Sequence, residues 1–186
     1  MDISLRKIIE NKQTYPSWSC NAVYSIRCAP LNKNELLVYY EPGAIPRRVS
    51  RVFPRFVKAD PVFLWVLGFL KGEGANSKGK SNYRRFTLTN KDPALISLCL
   101  DELHNKKLLD KNAFPDASLH IIHATDKKGP LNYWSRQLLL PLSKFKYFKD
   151  SRQTSQFGVC HVYFSDVLLR RVVDELSNHI LALNKK

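Results

Sequence analysis

Asp60-Pro61-Val62-Phe63-Leu64-Trp65-Val66-Leu67-Gly68-Phe69-Leu70-Lys71-Gly72-Glu73-Gly74 is the stretch on which the fold turns. Asp60 and Pro61 spell a helix start: a carboxylate can accept from the free N–H groups of the first turn, and the fixed φ of proline suits the first helical position. The helix should run through Leu70 and stop at Gly72-Glu73-Gly74. It is apolar on every side before Lys71, so burial on more than one side is expected. Gly68 and Gly72 stand one turn apart and share a face. Each costs about 1 kcal/mol of helix propensity relative to alanine, and a second backbone approaching closely would offset that cost. The plainer use of the same space is a neighbouring side chain of the same chain.

Downstream, Ala75 to Asn82 is small, polar and basic through Lys78 and Lys80, and reads as a strand end plus a hairpin loop. Tyr83 to Thr89 follows as a strand. Its alternation puts Phe86 and Leu88 on one face and Tyr83, Arg85, Thr87 and Thr89 on the other. Asp92-Pro93 repeats the helix-start signal. The helix to His104 should carry Leu95, Leu98, Cys99 and Leu103 on its apolar stripe. Ser118 to Thr125 reads as a strand, Asp126 to Pro130 as a turn, and Leu131 to Leu140 as a short inserted helix. Lys144, Lys146, Lys149 and Arg152 mark a basic loop or hairpin arm. Phe157 to Phe164 is a strand with Cys160, Val162 and Phe164 on one face and Val159, His161 and Tyr163 on the other. Asp166 caps a final helix whose Val167, Leu168, Val172, Val173, Leu176 and Ile180 fit helical spacing. From residue 60 the order is α-β-β-α-β-β-α, an α+β pattern with a four-stranded antiparallel sheet and helices on one face.

Residues 1–58 form an N-terminal extension to a domain spanning 59–186. Asn21 to Cys28 and Glu35 to Tyr40 have strand character, and Glu41-Pro42-Gly43 is a turn signal. Between Ile45 and Lys58, five cations alternate with apolar residues, and two prolines oppose a long helix. Such a run could follow a phosphate backbone or serve as a basic linker.

Composition narrows the partners. Among 186 residues, 30 Lys and Arg stand against 16 Asp and Glu, a net charge of +14 that favours polyanions, nucleic acid before an acidic membrane surface. An apolar fraction of 44% can supply a core, which argues against wholesale disorder. No apolar run approaches the ~20 residues of a spanning helix, and the N-terminus lacks a signal-peptide core. Cys20, Cys28, Cys99 and Cys160 are scattered without the paired spacing of a zinc site and read as reduced thiols. An intracellular setting (cytoplasm, nucleoid or organelle matrix) with no membrane partner is expected. The histidines show no metal-ligand spacing, and no Ser/His/Asp arrangement stands out.

The segment Val66 to Gly74, in this element order, resembles the signature of the LAGLIDADG homing endonucleases, in the variant whose last acid is Glu. The resemblance covers residues 60–182 and leaves the first 58 outside. It implies that two signature helices pack side by side across a two-fold axis, with Trp65, Gly68, Phe69 and Gly72 at that dimer interface. It implies that Glu73, with Gly72 beside it, binds Mg²⁺ or Mn²⁺ facing the scissile phosphates, where a bound cation can activate water and neutralise developing charge. The polar sheet face would lie on double-stranded DNA. Ser77, Lys78, Lys80, Tyr83, Arg85, Thr87, His161 and Tyr163 would meet it, with Lys144, Lys146, Lys149 and Arg152 at its edges. Thr87 and Lys91 map by strand position onto the family's accessory catalytic positions. A basic residue near the end of the fourth strand has no match, because Asp166 and Val167 stand there. With a single signature the chain should pair with itself on a near-palindromic site.

The implied activity is therefore a site-specific, divalent-metal-dependent double-strand DNA endonuclease acting as a homodimer. A non-cleaving nucleic-acid-binding relative, a transcription regulator or an intron maturase, is the alternative. Plainer readings compete residue by residue. Glu73 could be a solvated acid at a helix stop, Arg85, Lys78 and Lys80 an ordinary solvated hairpin, and His161 or Tyr163 an ordinary half-exposed strand residue. A lipid-surface protein is the third class.

Overall fold

The computed structural model describes residues 1–14, 24–40, 50–73, 86–110, 112–121, 128–150, 152 and 155–183, with Gln13, Thr14 and Glu73 described through their backbone only. The class is α+β. In the first 58 residues, β1 (Asp2–Ser4) and α1 (Leu5–Ile9) precede β2 (Gln13–Thr14), β3 (Tyr24–Pro30), β4 (Glu35–Tyr40), β5 (Ser50–Pro54) and β6 (Phe56–Lys58). Strands β2-β3-β4-β5 form an antiparallel sheet in chain order, and β1 pairs with β6. The basic run before residue 58 is thus two strands where it is described, with Arg55 at the bend between them. β5 closes one edge of a sheet, and β6 is tied to the chain start. Pro54 stands at the end of β5, an edge position that a residue without an N–H tolerates.

The second part holds α2 (Pro61–Glu73), β7 (Phe86–Asn90), α3 (Pro93–Asn105), β8 (Asp116–Ile121), α4 (Lys128–Leu138), β9 (Phe145–Lys149), β10 (Val159–Phe164) and α5 (Val167–Leu183). The three Asp caps behave as chemistry dictates. Asp60 Oδ1 accepts from Phe63 N at 3.0 Å, Asp92 Oδ1 from Ala94 N at 2.9 Å, and Asp166 Oδ1 from Leu169 N at 2.8 Å.

The sheet departs from the expected all-antiparallel one. Its order is β7-β10-β8-β9, with β10 antiparallel to both neighbours and β9 parallel to β8. The residues 144–152, expected as a loop or hairpin arm, supply that fourth strand. The reason is α4: two strands joined through an intervening helix can run parallel, whereas a short hairpin would force them antiparallel. The strand expected within residues 75–82 lies outside the described residues. Helix α4 also starts earlier than expected, at Lys128. Pro130 sits in its first turn, where an N–H has no partner to lose.

One apolar cluster runs through both parts. Ile9, Ile26, Val38 and Phe53 join Phe63, Leu67, Leu88, Leu119, Val162, Val172 and Leu176 in it. Helix α1 packs on α5, and Lys12 Nζ meets the buried Glu175 at 3.3 Å, with Arg171 Nη2 on the same carboxylate at 2.7 Å. Helix α3 is rotated from the expected stripe: Pro93, Ile96, Cys99, Leu100 and Leu103 are buried, while Leu98 is exposed and Leu95 half-buried. Cys28, Cys99 and Cys160 are free and buried, and burial pushes each thiol up to about 12. Among the described residues no helix is long and apolar enough to cross a membrane.

Candidate nucleic-acid interface

Strand alternation gives the second sheet two unlike faces. Phe86, Leu88, Cys160, Val162, Ala117 and Leu119 point into the helices and are buried. The opposite face follows from the register: Thr89 and Ser118 lie opposite His161, Ser118 lies beside Lys146, and His120 beside Phe148. These residues are half-buried or exposed, which is the condition of a polar face that meets solvent or a partner. Thr87 and Asp116 flank Tyr163 in the same way, but Tyr163 is buried at 9% exposure.

Two histidines meet in the middle of this face. The His120 and His161 rings are 4.3 Å apart between centroids, and Phe148 stacks on the other side of His120 at 5.1 Å and 28°. Thr89 Oγ1 lies 2.9 Å from His161 Nδ1, and Asp150 Oδ2 lies 3.8 Å from His120 Nδ1. Desolvation, and then the nearby His120, push the His161 pKa down, while the Asp150 charge opposes them. Arg152 donates Nε and Nη2 to Asp150 at 3.0 Å each, and this pairing holds the Asp150 carboxyl down at about 2. Gly158 sets the approach of β10 to β8. Its φ is +74°, and a Cβ there would lie 2.4 Å from the His120 carbonyl oxygen. Glycine is the residue that fits both conditions.

Helix α2 presents a second uncovered surface. Phe63, Val66, Leu67 and Leu70 face the core, and Ser177 Oγ of α5 reaches the Leu67 carbonyl at 3.4 Å. On the other side Val62 and Trp65 are each 49% exposed, and Trp65 stacks on Phe69 at 5.5 Å and 11°. The expectation of burial on more than one side therefore fails within a single chain. A Cβ built on Gly68 or on Gly72 meets nothing within 4 Å, so no described neighbour in this chain uses the space those glycines leave.

The expected site residues divide accordingly. Thr87 and His161 share the open sheet face, whereas Tyr163, on the same side of β10, is buried. Lys91 is exposed just beyond β7. Lys146 is exposed on the open face, whereas Lys149 pairs in register with buried Ile121 and so belongs to the opposite face. Lys144 lies 3.5 Å from Asp116, and Arg152 is engaged with Asp150, which reduces the free charge each offers. Trp65, Gly68, Phe69 and Gly72 lie together on α2. Ser77, Lys78, Lys80, Tyr83 and Arg85 lie outside the described residues, as does the side chain of Glu73, whose backbone ends α2.

His120 and Phe148 were not among the expected site residues. The alternation of Ala117, Leu119 and Ile121 with Ser118 and His120 was a readable signal for the first. No signal in residues 144–149 marked Phe148, because its face depends on pairing with β8. The chain matches no protein-family model and no curated protein sequence.

Proposed function

We propose that this chain binds double-stranded DNA on the open face of its second sheet, pairs with a second copy along α2, and cuts the DNA with a divalent cation at Glu73. The observation that carries the binding reading is the face itself. A sheet packed by helices on one side presents Thr87, Thr89, Ser118, Lys146 and His161 on the other, in a chain of net charge +14. Hydrogen-bonding side chains at strand spacing can read base edges, and cations at the sheet margin can hold phosphates. The dimer reading rests on the exposed apolar side of α2 and on two glycines with open space above them. Close packing of a second helix would bury Trp65, Val62 and Phe69 and offset the helix cost of Gly68 and Gly72.

The cutting reading rests on the likeness of Val66 to Gly74 to the endonuclease signature. Glu73 and the Gly72 carbonyl would supply oxygen donors, which suit a hard cation that keeps several waters and takes phosphate oxygens as further ligands. Such a cation, when bound, polarises water and neutralises charge on the phosphate. Lys91 and Thr87 would orient the backbone and the attacking water from β7. A second reading, binding without cutting, is favoured by Asp166. Where the family carries a basic residue near the end of the fourth strand, Asp166 is committed to capping α5 and pairing with Arg51.

A plasmid library incubated with Mg²⁺ or Mn²⁺ tests the proposal against Glu73→Gln. Metal-dependent double-strand cuts by wild type, lost in the variant while binding persists, support cutting. Tight binding by both proteins without cuts leaves the non-cleaving reading.

A further inference from the structure

Three rings cross the open sheet face on neighbouring strands: Phe148 of β9, His120 of β8 and His161 of β10. They touch in sequence, with centroids 5.1 Å and then 4.3 Å apart. The outer ring, Phe148, is 46% exposed, although its strand has a buried-side alternative in Phe145 and Tyr147 packed on the core. Lys146 lies two residues before it on the same face, exposed, and Lys144, 3.5 Å from Asp116, just precedes the strand. An exposed phenyl alone is ordinary on a protein surface. Here it stacks on His120, which in turn meets His161 at a tilt of 56°, on an open sheet face that also carries Lys146.

We infer that the Phe148–His120 row is a stacking platform for an unpaired nucleobase, so that the sheet holds single-stranded or locally opened nucleic acid. The inference rests on the reading of this face as a nucleic-acid interface. Its chemistry separates it from plain duplex binding. Bases in an intact duplex offer only their edges, and a flat aromatic ring gains a partner when a base is splayed out of the stack. Every base has a π-face, so the platform takes bases with little regard to sequence, while Lys146 meets the adjoining phosphate. The basic margin and the net charge of +14 favour a polyanion over an apolar protein partner. Two neighbours position His120. Asp150 faces its Nδ1, and the close approach of Gly158 to its carbonyl fixes the backbone at that point.

The test compares a labelled single-stranded oligonucleotide with its blunt duplex by fluorescence anisotropy. Phe148→Ala should weaken the single strand on the order of tenfold, as loss of one stacked base does, and leave the duplex nearly unchanged. Phe148→Trp should restore it. In parallel, wild-type protein is photo-crosslinked to a single strand carrying 5-iodouracil, with adducts expected on Phe148 or His120. If wild type binds neither nucleic acid, the interface reading itself fails and this inference with it. If wild type binds, Lys146→Ala weakens binding, and Phe148→Ala changes nothing, the interface stands and the platform is overturned. Crosslinks confined to other elements overturn it equally, without relying on any variant.

Discussion

Arg51 of β5 is ion-paired with Asp166, the residue that caps α5, and so one carboxylate fastens the N-terminal sheet to the last helix. The pair is half-buried, and Arg51 also donates Nη2 to the Leu108 carbonyl at 3.0 Å. Burial draws the Arg51 pKa down, and Asp110 works against that shift. Asp166→Ala should cost about 2–3 kcal/mol, roughly 1 from the lost cap and the remainder from a partly buried guanidinium left without its partner. Asp166→Asn keeps a capping oxygen and should cost only the ion-pair part, about 1–2 kcal/mol. Urea denaturation measures both; equal losses would show that the cap contributes nothing.

Gly158 combines a positive φ with a crowded Cβ position. Gly158→Ala adds a methyl against the His120 carbonyl at a positive φ, and should cost at least about 2 kcal/mol. The damage should centre on β8 and β10. Hydrogen exchange is the check: amides of those strands should lose protection while those of β3 and β4 keep theirs. Uniform loss would contradict a local effect.

Gly68→Ala has a sign that depends on association. In an isolated chain the new methyl meets nothing, and the gain in helix propensity should stabilise by up to about 1 kcal/mol. In a dimer packed closely along α2 the same methyl pushes the partner helix away. The expected result is a lower dimer fraction by light scattering together with an unchanged or higher melting temperature at dilute concentration. A chain that is monomeric at every concentration would remove the dimer from the proposal.

The pH dependence follows from two shifts of known direction. His161 has a folded pKa below its ordinary 6.5, so below that pH the unfolded chain takes up more protons than the folded one. Its contribution to stability is therefore complete above 6.5 and declines as pH falls through the window beneath it. Asp150 acts lower, with stability present above 3.8 and lost toward about 2. Denaturation midpoints at pH 7.5 and near pH 5, in wild type and His161→Gln, isolate the first group. The wild-type decline should exceed that of the variant, and parallel declines would assign it elsewhere. Nucleic-acid binding carries the opposite sign, because a polyanion favours the charged imidazole, so affinity should rise as pH falls.

Much of this protein was readable before folding was considered. Asp60, Asp92 and Asp166 cap helices because a short carboxylate before an apolar run accepts from the free N–H groups of the first turn, and that use is local. Buried Phe86, Leu88, Cys160 and Val162, and most of the apolar stripe of α5, follow from period-two and period-3.6 spacing, which is also local, whereas buried Tyr163 does not. The class α+β came from the same source, whereas the order of elements did not, because β9 was expected as a loop or hairpin arm.

What needed tertiary structure was every choice between partners at long range. Residues 144–149 mix three lysines with three aromatic residues, a composition that does not name a partner strand. They are a strand because α4 returns the chain parallel to β8, and that pairing alone puts Phe148 beside His120 and turns Lys149 away. The rotation of α3 that exposes Leu98 and the pairing of Arg51 with Asp166 are likewise set by packing between distant segments. The glycines of α2 show the division most clearly. Spacing alone placed Gly68 and Gly72 on one face, because the helical repeat is a property of the backbone. That this face opens outward from the chain, beside an exposed Trp65, depended on which side α3 and α5 cover, and no local rule contains that information.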